Sequence, residues 1–265
     1  MDIKNYVARG KELLREKISA QKATPCLVVV QVNDDPASNS YVRGKLKDCA
    51  EIGMLARLEK YPEDISEKEL LQVIDRLNHD DSVHGFIVQM PLPKHIHTKT
   101  IELAIDPKKD VDGFHPLSHF TPCTPLGILR YLKEENVSFE NKNAVVIGRS
   151  DIVGKPMAKL LLKENANVTV LHSKTSPSNL EAYVAQADII VVAVGKAHFF
   201  SPSVIKKDAV VVDVGINRGE NGLVGDCVPN LPVFLQTPVP GGVGLLTRFT
   251  LLENVWEAYQ NEISD

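Results

Sequence analysis

Tyr41 and Lys45 stand four residues apart in a stretch that reads as helix, so they share one face. An ammonium beside an aromatic ring can bind a ligand or move a proton. The same spacing also describes a surface helix with an amphipathic tyrosine and a solvated lysine. Gln89 closes an apolar run that reads as a buried strand, and Asp112 lies in the loop Lys109-Asp110-Val111-Asp112-Gly113. The ends of parallel strands are where ligands bind in open sheets, although Asp110 and Asp112 fit equally well as turn caps. His95 and His97 lack a third donor at metal-ligand spacing and read as surface residues. His115 and His119 are similarly isolated. No metal is expected.

A second group lies at Ala144-Val145-Val146-Ile147-Gly148-Arg149-Ser150-Asp151-Ile152-Val153-Gly154-Lys155-Pro156. It reads as a strand covered on both faces, a glycine turn and the start of a helix. Gly148 permits a tight turn, Gly154 permits close packing of helix on sheet, and the helix start offers N–H groups and a positive dipole end to a phosphate. The spacing departs from G-x-G-x-x-G, with Ser150 where the second glycine would stand, and a strand-turn-helix without a ligand has the same outline. The next strand ends in His172-Ser173-Lys174-Thr175, where an NAD site usually carries an acid for the ribose 2′-hydroxyl. A hydroxyl and a cation there, with Arg149 in the turn, favour a 2′-phosphate and hence NADP. Gly215 and Ile216 follow a later strand, where a nicotinamide half belongs; packing at the sheet edge is the plainer role. Thr237-Pro238-Val239-Pro240-Gly241-Gly242-Val243-Gly244 is rigid and then flexible, which suits a ligand wall better than a linker.

The elements that must position these groups alternate. An amphipathic helix runs from about Ile3 to Ala20. Strands are expected at Cys26–Val32, Leu55–Tyr61 and Val83–Val88. The turn Asn33–Pro36 leads to a helix capped by Ser38 or Asn39 and ending near Glu51. Ser66 with Glu69 forms a capping box for a helix to Asn78, and a short helix covers His97 to Ile105. The strand-helix alternation predicts right-handed parallel crossovers. Asp106 to Pro125 reads as loop. The second half has a helix at Pro125–Glu135 and strands at Ala144–Ile147, Asn167–Leu171, Ile189–Val194, Ala209–Val214 and Val233–Thr237. Its helices are Val153–Lys163, Asn179–Gln186, a short one near Ser203, and Arg248–Gln260. The fold class is α/β in two lobes with a cleft between them: residues 1–120, then a Rossmann-like lobe at 121–246. A helix at 247–265 is placed to return to the first lobe.

The 265 residues suffice for two modest lobes. A net charge of -4 gives no footprint for nucleic acid or an anionic membrane. The four cysteines, Cys26, Cys49, Cys123 and Cys227, form no C-x-x-C pair and suit a reducing compartment. The start of the chain reads as neither signal peptide nor membrane span, so a cytoplasmic location is expected.

Taken together, these pieces resemble the bifunctional methylenetetrahydrofolate dehydrogenase/cyclohydrolase family, the FolD type. The resemblance runs in order along nearly the whole chain. It rests on Asp34-Asp35-Pro36-Ala37-Ser38 with Tyr41-Val42 and Lys45, on Gly85-Phe86-Ile87-Val88-Gln89-Met90-Pro91-Leu92-Pro93, on Lys109 to Phe114, and on Pro122-Cys123-Thr124-Pro125. It continues through Gly148-Arg149-Ser150, Ile152 to Pro156, His172-Ser173 and Pro238 to Gly244. The resemblance implies oxidation of 5,10-methylenetetrahydrofolate with NADP to the 5,10-methenyl cation, and hydrolysis of that cation to 10-formyltetrahydrofolate. It makes Lys45 the catalytic residue of hydrolysis, with Gln89 as its hydrogen-bond partner. Tyr41 then stacks on the aminobenzoate part of the folate, and Asp112 binds the pterin. Pro238, Gly241 and Gly242 join these four against the substrate, and Gly148, Arg149, Ser150, Ser173 and Ile216 contact the cofactor. A homodimer paired through sheet edges is also implied. The chain departs from the family pattern at Leu245-Leu246-Thr247, where Pro-Met-Thr is usual, at Ser118, where Asn is usual, and at Cys227-Val228-Pro229, where Val-Asp-Phe is usual. No formate-ligase domain is expected, and the sequence contains no G-x-x-x-x-G-K-[ST] phosphate loop.

Overall fold

The computed structural model describes residues 2–220 and 222–262. The chain divides into two compact units. One, the Lys45 unit, is Ala8–Cys123 with the chain from Arg248 onward; the other, the glycine-turn unit, is Thr124–Thr247 with the residues up to Val7.

In chain order the Lys45 unit takes most of α1 (Ile3–Ser19), then β1 (Cys26–Gln31), α2 (Pro36–Glu51), β2 (Leu55–Lys60), α3 (Glu67–Asn78), β3 (Gly85–Val88) and α4 (Thr98–Ala104). Its sheet is parallel in the order β2-β1-β3. The central strand explains the layering. Leu27 and Val29 point into a core with Leu14, Val42, Cys49 and Val255, whereas Val28 and Val30 point into another with Leu70, Ile74 and Phe86. Successive strand side chains face opposite ways, so an unbroken apolar run is what a strand covered on both faces requires.

The expected capping box on α3 forms. Ser66 Oγ accepts from Glu69 N at 3.2 Å, and Glu69 Oε2 accepts from Ser66 N at 2.9 Å. The cap of α2 corrects the sequence reading. Asp35, not Ser38 or Asn39, caps it and accepts from Ser38 N at 2.8 Å. Pro36 therefore sits in the first turn, where its missing N–H costs nothing. β3 starts at Gly85 because Val83 N is spent on Asp80 O in a turn. Gly85 also has to be glycine, since a Cβ there would overlap the Val111 side chain.

The glycine-turn unit holds α5 (Cys123–Glu134) from Thr124 on, then β4 (Asn143–Ile147), α6 (Gly154–Lys163), β5 (Asn167–Leu171), α7 (Pro177–Val184), β6 (Ile189–Val192) and β7 (Val210–Asp213). The hairpin β8 (Asn217–Gly219) and β9 (Gly222–Val224) and the short β10 (Leu235–Gln236) complete it. Its main sheet is parallel in the order β10-β7-β6-β4-β5. The order reverses between β4 and β6, which is the topological switch point of a doubly wound sheet.

Two expectations fail here. No helix forms near Ser203; its N–H and hydroxyl both go to Glu181 Oε2, at 3.3 and 2.8 Å, which satisfies them locally. The last helix, α8 (Val243–Glu262), starts five residues before Arg248 because the buried Val243 and Leu246 hold its first turn. The chain passes from one unit to the other within α8, after Thr247. Among the described residues no helix is long and apolar enough to cross a membrane.

Asn254 anchors the second part of α8. Its amide, 1 % exposed, donates to Val111 O at 2.9 Å. Replacing it with leucine leaves Val111 O with only the weak Cys123 thiol as donor, so Asn254→Leu is expected to lower the unfolding free energy by about 1–3 kcal/mol, read by urea denaturation.

Candidate active site

α2 and β3 bring Lys45 and Gln89 together. Lys45 is 5 % exposed, and its ammonium donates to Gln89 Oε1 at 3.1 Å. Gln89 Nε2 donates to Met90 O at 2.8 Å, which fixes the amide with its oxygen towards the lysine. The Gln89 backbone N–H is held by Val30 O, so the side chain leaves from the last rung of the sheet. The Lys45 ammonium lies 5.1 Å from the centroid of the Tyr41 ring, one turn earlier on α2, within cation–π range. Lys45 is therefore not the solvated lysine of the surface-helix alternative, and Tyr41 is half-buried.

Burial pushes Lys45 below its ordinary range, because a low-polarity surround disfavours the ammonium. The Asp112 charge pulls in the opposite direction, as Cys123 and Cys49 do more weakly, and Arg248 adds to the lowering. Asp112 is the mirror case: burial raises it and Lys45 lowers it. Burial therefore favours a neutral amine facing a neutral acid, while mutual attraction favours the ion pair.

Asp110 supports the loop that carries Asp112. It is 1 % exposed, and its carboxylate accepts from Gly113 N at 3.2 Å and His115 N at 2.8 Å. Ser118, the shortened side chain of this loop, donates to Asp110 O at 3.0 Å and accepts from Phe120 N at 3.1 Å. His115 Nδ1 accepts from Leu117 N, His95 bonds Ile65 O, and His97 bonds Glu67. Among the described residues there is no group of three or more side chains fit to hold a metal.

In the glycine-turn unit, Gly148 has φ 128°, and a Cβ there would overlap the Ala193 carbonyl oxygen across the switch point. Gly154 faces the carbonyl of Gly148, and a Cβ on it would strike that oxygen. Both glycines are therefore demanded by close backbone approach. Arg149 and Ser150 are exposed at the mouth of the turn. The N–H groups at the start of α6 are not wholly open, as the sequence reading had them. Ser150 Oγ accepts from Val153 N at 3.2 Å and from Gly154 N at 3.3 Å. With its lone pairs so used, the hydroxyl hydrogen points outward as a donor for an anionic oxygen. Ser173 and Lys174 are exposed after β5, and no acid stands there. Ile216 is 52 % exposed beyond β7. These residues fit a dinucleotide with a 2′-phosphate.

Pro238, Gly241 and Gly242 lie in this same unit, ahead of α8. Gly241 has φ 90°, and a Cβ on Gly242 would overlap the Pro238 carbonyl oxygen. The Val239–Pro240 and Met90–Pro91 peptides are cis. Leu246 of the altered Leu245-Leu246-Thr247 segment is 1 % exposed, so that change serves packing. The sequence reading passed over Asp213 and Asp226, which hold the loops after β6 and β7. Their only sequence signal was a glycine close to each aspartate, at Gly215 and Gly225.

Burial pushes Asp110 from its ordinary 3.8 up to about 6. Between those values the folded protein holds a proton that the unfolded chain has lost. The stabilisation is full below pH 4 and fades as pH rises through 6, by about 3 kcal/mol at most. Asp110→Asn removes this titration, so its unfolding free energy relative to wild type is expected to climb between pH 4 and pH 7, measured by urea unfolding across that range.

Comparison with known proteins places this geometry. The description "Tetrahydrofolate dehydrogenase/cyclohydrolase, catalytic domain" matches residues 1–112, and "Tetrahydrofolate dehydrogenase/cyclohydrolase, NAD(P)-binding domain" matches residues 122–263. The bifunctional protein FolD of Bacillus subtilis is 46 % identical over 279 residues, covering 96 % of this chain and 98 % of its own. The bifunctional FolD methylenetetrahydrofolate dehydrogenase/cyclohydrolase of Campylobacter jejuni superposes with a TM-score of 0.95 at 44 % identity, over 98 % of each chain. The Trypanosoma brucei N5,N10-methylenetetrahydrofolate dehydrogenase-cyclohydrolase, solved with NADP cofactor and inhibitor, superposes with a TM-score of 0.95 at 30 % identity, over 100 % of this chain and 98 % of that one.

Proposed function

The chain belongs to the tetrahydrofolate dehydrogenase/cyclohydrolase family, and from that premise we propose how its own residues divide the work. The protein oxidises 5,10-methylenetetrahydrofolate to 5,10-methenyltetrahydrofolate with NADP, then hydrolyses that product to 10-formyltetrahydrofolate. The observation that carries the division of labour is the buried Lys45–Gln89 hydrogen bond.

The first step needs no strong base. NADP, when bound, would supply the hydride acceptor, and the carbon that loses hydride is a cation stabilised by the nitrogens on either side. What the protein supplies is position. Gly148, Arg149, Ser150, Ser173 and Ile216 hold the cofactor. Ser150 donates to a phosphate oxygen, and Arg149 with Ser173 takes the 2′-phosphate. Tyr41 lies along the aminobenzoate, Asp112 binds the pterin, and Pro238, Gly241 and Gly242 line the substrate.

Hydrolysis does need proton transfers. Neutral Lys45 takes a proton from water as its oxygen bonds to the methenyl carbon. It returns that proton to the ring nitrogen as the carbon–nitrogen bond breaks, and the hydroxyl proton of the intermediate leaves to solvent. A buried lysine of lowered pKa suits both roles near neutral pH. Approach of a cationic substrate lowers it further. Gln89 directs the amine without adding a charge.

Two finer readings accompany this one. The location is cytoplasmic, in keeping with four buried free cysteines and no described helix fit to span a membrane. The assembly is a homodimer joined at the β5 edge of the glycine-turn sheet, an edge strand with Val170 38 % exposed. Sedimentation of the wild type is expected to give a dimer and of Val170→Arg a monomer; a monomeric wild type ends that assignment.

The central test is a paired assay on purified protein. 5,10-Methylenetetrahydrofolate with NADP or NAD reports the first activity through reduced nicotinamide, with NADP favoured. Methenyltetrahydrofolate alone reports the second above the buffer rate. Lys45→Met is expected to lose hydrolysis by at least about 100-fold while still folding and binding NADP, and Gln89→Leu to lose about tenfold. Undiminished hydrolysis by Lys45→Met removes the lysine from the mechanism.

A further inference from the structure

The segment that follows β6 carries no helix or strand before β7, and the one after β7 leads within three residues to β8, yet the two are tied at one point. Asp226 is 0 % exposed. Its Oδ2 accepts from Val194 N at 2.7 Å and Gly195 N at 2.9 Å. Its Oδ1 accepts from Lys196 N at 2.8 Å and from Asn217 Nδ2 at 2.9 Å. Three consecutive N–H groups beyond β6 and one side-chain amide beyond β7 thus converge on a single carboxylate. A carboxylate offers about four acceptor sites, and all four are in use. Every donor is a neutral amide.

Asp226 is itself fixed. Its own N–H donates to Asp213 Oδ1 at 2.9 Å. Asp213, 2 % exposed, also accepts from Gly215 N at 3.0 Å and from Cys227 N at 2.9 Å. Two glycines make room for this arrangement. A Cβ on Gly215 would overlap the Asp226 carboxylate, and one on Gly225 would overlap that of Asp213. The segment so held begins right after Ala193, whose carbonyl packs on Gly148 across the switch point. It is the far wall of the turn assigned to the cofactor. The second segment so held contains Ile216, also assigned to the cofactor.

We infer that Asp226 is a positioning residue for NADP: it shapes the 194–196 wall and the 215–217 loop into the form that receives the cofactor, without touching the cofactor itself. This rests on the cofactor site proposed above. A buried anion satisfied only by backbone and amide N–H groups costs more than an apolar packing contact of the same volume. It holds loop backbone in one shape, which apolar packing does not do.

The test uses Asp226→Asn in the full-length protein. Asparagine keeps the volume but turns an NH2 towards two of the four donors. NADP affinity by isothermal titration calorimetry and KM for NADP are both expected to worsen by about tenfold or more, with KM for 5,10-methylenetetrahydrofolate unchanged. Cofactor-free hydrolysis of methenyltetrahydrofolate, carried by Lys45 in the other unit, should stay at the wild-type rate. Asn217→Ala removes one donor and leaves the carboxylate; it should shift NADP affinity the same way by about threefold. A folded Asp226→Asn protein with wild-type NADP affinity overturns the inference. Equal loss of both activities overturns it too, since that is the mark of a general folding role. If Asp226→Asn does not fold, wild-type NADP affinity in Asn217→Ala overturns it. A wild-type protein that hydrolyses methenyltetrahydrofolate but binds no NADP refutes the underlying cofactor reading instead, and the inference with it.

Discussion

Removal of the Lys45 ammonium from water is the constraint on which the chemistry of this protein depends. An ammonium in a poorly solvated place is less stable as a cation, and the role proposed for Lys45 as a base rests on that lowering. The surrounding structure must then supply enough polarity to hold the amine, but not enough to restore its ordinary basicity. A neutral amide meets that need. Gln89 accepts one hydrogen bond and is itself locked by Met90 O. The one acid of consequence, Asp112, has its pKa raised by the same burial, against the pull of Lys45. Around them the parallel strands contribute mainly by being covered on both faces, which is what keeps water away.

The glycine-turn unit meets the opposite requirement. Its ligand carries the charge, so the protein supplies oriented dipoles and exposed cations. The glycines at the switch point are dictated by backbone-to-backbone approach: Gly148 against Ala193, Gly154 against Gly148. Charged side chains appear there in two roles. Arg149 and Lys174 face solvent, where they are available to a phosphate. Asp213 and Asp226 are withdrawn from solvent and act as scaffolding, replacing the regular hydrogen bonding that loops lack.

Much of this was legible in the sequence, for identifiable reasons. The apolar runs at Cys26–Val30 and Ala144–Ile147 announced buried strands, and the Ser66–Glu69 box announced the start of α3. Lys45, Gln89 and the Gly148 turn could be singled out because residue type and position at an element's end already carry meaning. What was hidden depended on partners far along the chain. Asp35 rather than Ser38 caps α2 because Pro36 suits a first turn, and two neighbouring cap-forming residues masked the choice. The expected helix near Ser203 dissolved because Glu181, on another element, satisfied its polar groups. Nothing local distinguishes Asp226 from any loop aspartate; its four donors come from residues 194–196 and 217. Burial of Lys45, too, is a property of the assembled layers, not of the Tyr41–Lys45 spacing.

The passage of α8 from one unit to the other has a consequence for biosynthesis. Leu251, Leu252 and Val255, near the end of the chain, fill the same core as Leu27 and Val29, near its beginning. A ribosome therefore releases the segment 124–247 while the earlier segment still lacks a wall of its hydrophobic interior. The glycine-turn unit has nearly all its residues in hand and can close first. The part made earliest must wait, with its apolar helix faces uncovered, until α8 has been made. A chain cut before α8 lacks that wall of the core around the lysine.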